Sequence, residues 1–119
     1  MKKVLVVDDD EMNLKLAEFT LRKEGYEVEK VTSGMEALLY LRDNSADLVL
    51  LDIEMPVMNG IKTYEIMKEN KEMMSIPTIF LTASMDSEDV ATAQNMGAAN
   101  YIVKPFLPPK LLEAVGKVI

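Results

Sequence analysis

Four short apolar runs divide this chain, and each one ends on a residue with a reactive or charged side chain. They are residues 4–7 before Asp8 and Asp9, 48–51 before Asp52, 79–81 before Thr82, and 101–103 before Lys104. A short continuous apolar run is typical of a strand buried on both faces, as in a parallel sheet. In an open parallel sheet, ligands bind at the carboxyl ends of the strands. Three carboxylates, one hydroxyl and one ammonium should therefore meet at one edge of the sheet.

Helical patterns separate the predicted strands. Gly25 and Gly97 are typical helix stops, Ser33 with Glu36 forms a capping box, and Pro108 opens the last helix. Because the strands follow right-handed crossovers, we expect a flavodoxin-like three-layer (βα)5 sandwich, with a five-stranded parallel sheet in the order 2-1-3-4-5 and one domain over residues 1–119. The predicted strands are residues 4–7, 27–31 (an edge strand), 47–51, 76–81 and 100–103, and the predicted helices are 10–24, 33–42, 61–69, 86–96 and 110–118.

The composition excludes several classes of function. The chain has no cysteine and no histidine, so disulfide, thiolate and histidine-based catalysis are unavailable. Its 20 acidic and 13 basic residues give a net charge of −7, which argues against direct binding of nucleic acid or an anionic membrane. The N-terminal apolar stretch is too short for a signal peptide, and no later segment predicts a membrane span. We expect a cytoplasmic protein.

The residues at the strand ends suit phosphoryl chemistry. Asp52 can form a mixed anhydride as a nucleophile, and Asp8 and Asp9 beside it would repel one another unless a divalent cation were bound. Lys104 can hold an anion as a point charge, and Thr82 can donate from its hydroxyl. Each of these residues also has a simpler structural role. Asp52 could cap the following loop, and Asp8 and Asp9 could be acids at a helix N-terminus. Lys104 could be a solvated lysine, and Thr82 could be a β-branched strand residue. Asp10 and Glu11 fit the helix N-terminus better than the site.

The ordered set of motifs resembles the receiver domain of two-component response regulators, of the chemotaxis-regulator-like kind. The motifs are Asp8 with Asp9, Asp52 followed by Pro56 and Gly60, Thr82 with Ala83, and Lys104 with Pro105 and Phe106. The resemblance covers essentially the whole chain. It implies a phosphoacceptor switch that takes a phosphoryl group on Asp52 from a histidine kinase or histidine phosphotransfer protein. It implies that the chain is not an enzyme, apart from catalysing its own phosphotransfer and dephosphorylation.

The resemblance also implies a metal site. Asp9, Asp52 and the backbone carbonyl of Glu54 would bind Mg²⁺ directly, with Mn²⁺ as a substitute, and Asp8 would act through water. These four residues are therefore the predicted metal ligands.

A switch is implied as well. Lys104, whose bond to Pro105 is usually cis in the family, would contact the phosphate, and the Thr82 hydroxyl would donate to a phosphoryl oxygen. Tyr101 would then turn inward, although an ordinary sheet aromatic is an equal alternative. The fourth helix, fifth strand and fifth helix would form the face that controls an output partner or effector domain, and that face offers a possible dimer contact.

The first helix carries one feature outside these motifs. Met12, Leu16 and Phe19 fall on one helical face at i, i+4 and i+7, while apolar residues also line the opposite face. The stripe formed by Met12, Leu16 and Phe19 would lie beside the acid cluster. It either docks a helix of the phosphodonor or packs on a neighbouring helix of this chain.

Rival functions meet specific obstacles in the sequence. A haloacid-dehalogenase-type hydrolase would need an aspartate two residues after the nucleophile, where Glu54 stands. A flavodoxin-like flavin binder would need a hydroxyl- or glycine-rich loop after the first strand, where aspartates stand. A degenerate receiver that never accepts phosphate is disfavoured by the complete site. The end at Val118 and Ile119, without a polar tail, slightly favours a domain cut from a longer protein over a stand-alone regulator.

Overall fold

The computed structural model describes residues 1–83 and 88–119 of the chain. Strands and helices alternate throughout these ranges. In chain order they are β1 Lys3–Val7, α1 Glu11–Lys23, β2 Glu27–Val31, α2 Gly34–Asp43, β3 Leu48–Asp52, α3 Gly60–Glu69, β4 Thr78–Thr82, α4 Glu88–Asn95, β5 Asn100–Val103 and α5 Pro108–Gly116.

The strands form one sheet in the order β2-β1-β3-β4-β5, and every pairing is parallel. This confirms the predicted fold class, including β2 as an edge strand. The order reverses direction between β1 and β3, so the carboxyl ends of these two strands lie side by side where the helices diverge to opposite faces. Val7 pairs with Leu51, which brings Asp8 level with Asp52.

Two hydrophobic cores hold the helices on the two faces of the sheet. Residues of β1 alternate between them, since successive strand side chains point to opposite faces. Val4 and Val6 belong to the core formed with α1 and α5, whereas Leu5 and Val7 belong to the core formed with α2, α3 and α4. Strands β3 and β4 are buried along their whole length, which explains the apolar runs 48–51 and 79–81 within them.

Local signals position the helices. Asp10 caps α1 by accepting a hydrogen bond from the Met12 amide at 2.8 Å, as its place at the helix start predicts. Ser33 caps α2 by accepting from the Glu36 amide. The reciprocal half of the predicted capping box is different, because the Glu36 carboxylate accepts from the amide and hydroxyl of Thr32 rather than from the Ser33 amide.

Several predicted boundaries shift by one or two residues. The last helix begins at Pro108 rather than Lys110 and ends at Gly116, because proline is tolerated in a first turn whose amides have no partners within the helix. Strand β3 includes Asp52, since its pairing with Leu81 extends the ladder by one residue. Strand β4 begins at Thr78, after Pro77, which has no amide to donate. The predicted cap of α4, Asp86 or Ser87, lies outside the described residues.

Among the helices in the described part of the chain, none combines the length and the apolar character that a membrane crossing requires.

Candidate functional site

Three aspartates meet at the carboxyl edge of the sheet. Asp8 and Asp9 follow β1, and Asp52 is the last residue of β3. One carboxylate oxygen from each lies within 4.8 Å of the other two. Asp8 and Asp52 are buried and Asp9 is exposed, so the group is in contact with solvent through Asp9.

Lys104 extends into this cluster from the segment after β5. Its Nζ lies 3.0 Å from Asp52 Oδ1 and 3.1 Å from Asp8 Oδ2. Its amide donates to the Thr82 carbonyl at 2.8 Å, which fixes its backbone beside β4. The bond from Lys104 to Pro105 is cis. One ammonium therefore serves two buried carboxylates, and the cluster keeps an excess of negative charge.

The two oxygens of Asp52 have different surroundings. Oδ1 accepts from the Glu54 amide at 3.2 Å and pairs with Lys104. Oδ2 is buried and accepts no hydrogen bond from any residue in 1–83 or 88–119. A buried carboxylate oxygen without a donor is costly in a folded protein, and it is suited to a cation or to an electrophile. Asp8 is similar: its Oδ1 accepts from the Asp10 amide at 2.9 Å, and its buried Oδ2 faces Lys104 but accepts no hydrogen bond from the described residues.

The pKa values at the site follow from this arrangement. Burial, together with the charge of Asp8, raises the pKa of Asp52 to about 7, although Lys104 opposes the rise. Burial acts to lower the pKa of Lys104, but Asp52 and Asp8 outweigh it and raise that pKa above its usual value. The ammonium is therefore firmly charged, while the Asp52 carboxylate is poorly stabilised.

These residues fit a small divalent cation. Mg²⁺ takes oxygen ligands at about 2.0–2.1 Å and usually binds one or two protein carboxylates, with water and phosphate oxygens completing its shell. The spacing of the three carboxylates meets that requirement, as does the Oδ2 of Asp52, which has no donor among the described residues. The Glu54 carbonyl, which the resemblance adds as a ligand, stays a prediction.

The loop between Asp52 and α3 is shaped by close backbone packing. Gly60 donates from its amide to the Ile53 carbonyl at 2.9 Å. A Cβ at Gly60 would clash with the carbonyl oxygen of Asp52, so a larger side chain there would displace the strand end that carries Asp52. Val57, at the fully exposed tip, has a positive φ of 69°.

Glu54 supplies a contact that sequence reasoning did not predict. Its Oε2 accepts from the Thr82 hydroxyl at 3.2 Å, and its Oε1 accepts from the Ala83 amide at 2.9 Å. Thr82 itself is buried at the end of β4. The sequence signal, an acid two residues after Asp52, carries no information about a partner on another strand.

Tyr101 lies half-buried on the outer strand β5. Its ring stacks on Phe80 with a centroid separation of 6.5 Å and an interplanar angle of 14°. Burial raises the pKa of its hydroxyl, with a smaller effect from Tyr64. That hydroxyl is buried and has no hydrogen-bond partner within residues 1–83 and 88–119. The ring thus packs on the sheet and carries a hydroxyl without a partner among the described residues, and the inward turn of Tyr101 stays a prediction.

The predicted docking stripe on α1 is largely open to solvent. Met12 is 73% exposed and Phe19 is 69% exposed. Leu16, between them, is partly buried against the core formed with α1 and α5. The opposite face of the helix, with Leu14 and Leu21, is buried in that core. The stripe therefore has two exposed members and one member that also supports the fold.

Comparison with known proteins gives a consistent result. The sequence profile of the family described as "Response regulator receiver domain" matches residues 4–116. The polar-differentiation response regulator DivK of Brucella ovis is 34% identical over 114 residues, which are 96% of this chain and 93% of DivK. The DNA-binding response regulator MtrA of Mycolicibacterium paratuberculosis is 37% identical over 114 residues, which are 96% of this chain and 49% of MtrA.

Solved structures agree with the sequence matches. The chemotaxis response regulator CheY4 of Vibrio cholerae superposes with a TM-score of 0.94 at 33% identity, covering 100% of this chain and 99% of CheY4. A CheY-like receiver domain protein from Methanospirillum hungatei gives a TM-score of 0.90 at 32% identity. The superposition covers 98% of this chain and 92% of the chain of that protein.

Proposed function

This chain belongs to the response regulator receiver domains, the phosphoacceptor switches of two-component signalling, and from that premise we propose that Asp52 takes the phosphoryl group. The observation that carries the proposal is the buried Oδ2 of Asp52, which accepts no hydrogen bond from the described residues. The Asp52 carboxylate lies among Asp8, Asp9 and Lys104, and this crowded, buried environment stabilises its anionic form poorly.

In the proposed transfer, a carboxylate oxygen of Asp52 attacks the phosphorus of a phosphohistidine on the donor protein. The new O–P bond makes an acyl phosphate, and the P–N bond breaks with its electron pair left on the imidazole nitrogen of the donor. Lys104, already 3.0 Å from Asp52, then pairs with a phosphoryl oxygen. The Thr82 hydroxyl donates to another.

Asp8, Asp9, Asp52 and the Glu54 carbonyl would hold Mg²⁺, or Mn²⁺ in its place. The bound ion would offset the negative charge that the phosphoryl oxygens and the carboxylates bring together. Lys104 alone cannot do this, because it already serves both Asp8 and Asp52.

The output side of the proposal involves Thr82 and Tyr101. Movement of Thr82 toward a phosphoryl oxygen would let Tyr101 turn further inward and shift the surface formed by α4, β5 and α5. Phosphorylation would act by favouring one of two pre-existing states. That surface would control an output partner or an effector domain, and it could form a dimer. We place this domain, residues 1–119, in the cytoplasm as a phosphoacceptor rather than an enzyme.

Labelling tests the assignment of Asp52. Acetyl phosphate or phosphoramidate with Mg²⁺ should add one phosphate to the parent protein, and Asp52→Asn should abolish the addition. Asp43→Asn is the matched control, because Asp43 is an exposed aspartate at the end of α2. Mass spectrometry that located the label on another residue would refute the assignment.

The donor is proposed to dock on the α1 stripe of Met12, Leu16 and Phe19. Since α1 starts directly after the acid cluster, a donor helix resting on it would bring phosphohistidine to Asp52, and exposed Phe19 would provide a desolvated centre for a transient interface.

A comparison of two phosphodonors tests this docking. Phe19→Asp should slow transfer from the cognate histidine kinase or phosphotransfer protein by about tenfold or more, the cost of losing an interface centre. Phosphorylation by acetyl phosphate should be spared, because that route needs only the site. Leu39→Asp, on the exposed face of α2, is the matched control and should affect neither route. Equal loss with both donors would mean that Phe19 acts through the fold.

A further inference from the structure

The side chain of Glu54 occupies a pair of donors at the end of β4. Each carboxylate oxygen takes one donor: Oε2 accepts from the Thr82 hydroxyl at 3.2 Å and Oε1 accepts from the Ala83 amide at 2.9 Å. Two neighbouring donors that converge on one anion form a small oxyanion site. In this structure the chain's own carboxylate fills it.

The donor pair adjoins the proposed phosphoacceptor. Asp52 pairs with Leu81 across the sheet, so Thr82 and Ala83 lie just beyond it on the next strand. The Glu54 amide donates to Asp52 Oδ1 at 3.2 Å, which ties the start of the loop to the same carboxylate. A phosphoryl group on Asp52 would therefore place its oxygens next to the donors that Glu54 now holds.

The Glu54 side chain can also detach from these two donors. Its side chain is exposed, so water can solvate the carboxylate once it detaches. Thr82, in contrast, is buried and cannot exchange its partner for bulk water without a local change. The Glu54 carboxylate thus occupies the two donors until a stronger anion displaces it.

We propose that the Glu54 side chain is an internal competitor for the phosphoryl group, and that it sets how readily the modified state forms. This inference rests on the proposed function of Asp52 and adds a positioning residue to it. Before phosphorylation, Glu54 holds the Thr82 hydroxyl and the Ala83 amide. After phosphorylation, a phosphoryl oxygen replaces the carboxylate, and the repulsion between the two anions expels Glu54 into solvent.

Beryllofluoride, which mimics a phosphoryl group on a carboxylate, measures the competition directly. In saturating Mg²⁺, Glu54→Ala should lower the beryllofluoride concentration at half-saturation by about two- to tenfold, the factor that corresponds to one net hydrogen bond. Glu54→Gln, which keeps an acceptor but loses the charge, should fall between the parent and Glu54→Ala.

Glu11→Gln is the matched control. Glu11 is an exposed acid in the first turn of α1, and its replacement lowers the negative charge at the same edge of the sheet by one unit. Half-saturation should be unchanged in this variant. An equal gain in Glu11→Gln and Glu54→Gln would overturn the proposal, because bulk charge would then explain the effect.

Two further measurements separate competition from a merely structural role. The gain from Glu54→Ala should shrink in a Thr82→Ala background, since part of the competition acts through that hydroxyl. The Ala83 amide proton should also move upfield in metal-free Glu54→Ala, which loses the carboxylate acceptor. An undiminished gain in the Thr82→Ala background, or an unmoved Ala83 resonance, would overturn the proposal.

The outcome also distinguishes this inference from the function on which it rests. A parent protein that binds beryllofluoride through Asp52 with the same half-saturation as Glu54→Ala would refute the competition alone. A parent protein that showed no binding dependent on Asp52 would refute both.

Discussion

The two edges of the sheet each carry a lysine among carboxylates, but the two groups differ in charge balance and burial. At the amino edge, Lys3 pairs with Glu27 at 3.5 Å, and its Nζ donates to the Tyr40 hydroxyl at 2.9 Å. The Lys3 amide donates to Asp47 at 2.7 Å. At the carboxyl edge, Lys104 faces two buried aspartates, and a third lies close by.

The difference shows where this fold tolerates unfavourable electrostatics. The group around Lys3 is partly solvated, and both the ammonium and the amide of Lys3 have partners, so this group serves the fold and carries little energy. The carboxyl edge buries an excess of negative charge and leaves Asp52 Oδ2 without a donor among the described residues. Proteins retain such unfavourable electrostatics at sites where ligand binding or a reaction later relieves them. Three predictions test this contrast.

The largest expected effect on stability comes from replacing Lys104, and the replacement of Lys3 is its control. Lys104→Ala should lower the free energy of unfolding by about 1–2 kcal/mol in EDTA at neutral pH, less than a fully buried pair would lose, because Lys104 is partly solvated. Lys3→Ala should leave stability close to that of the parent. Urea denaturation of both variants measures the difference. Equal losses would show that the two edges are electrostatically alike.

A metal titration should give the next largest effect. At about ten times its dissociation constant, Mg²⁺ should stabilise the parent by about 1.4 kcal/mol through mass action. Asp9→Ala should lose most of this gain, because Asp9 is the exposed carboxylate of the cluster. Glu27→Ala, at the amino edge, should keep it. If thermal melts showed the same Mg²⁺ response in all three proteins, the ion would bind elsewhere.

The smallest expected effect concerns the charge of Asp52. Because its pKa in the folded protein is raised to about 7, the ionised carboxylate opposes folding at neutral pH. Asp52→Asn in EDTA should therefore raise stability above pH 7, by under about 1 kcal/mol since the contact with Lys104 is lost as well.

The pH dependence has a definite sign. As pH falls from about 8 to about 5, the folded parent takes up a proton at Asp52 that the unfolded chain does not yet bind, so the parent gains stability relative to the variant. The advantage of Asp52→Asn should shrink over this range. An advantage independent of pH would mean that the cost at Asp52 is not its charge.

Most of the fold could be predicted from the sequence alone. Buried strands of a parallel sheet need continuous apolar runs, and the residue after each run lies at the carboxyl edge of the sheet. The positions of Asp8, Asp52 and Lys104 after three such runs therefore predicted that they lie near one another. Helix ends followed from local chemistry, as at Gly25, whose φ is 93°. These features depend on neighbours in the chain, which is why one sequence suffices to predict them.

Only the tertiary structure decided how the side chains are shared at that edge. Lys104 divides its charge between Asp8 and Asp52, and Glu54 reaches Thr82, 28 residues away in sequence. Nor could helical periodicity say that Leu16 is partly buried while Phe19 is exposed. The physical reason is that periodicity sets the direction of a side chain relative to its own element, whereas its partner depends on the distance to another element and on the charges already present there.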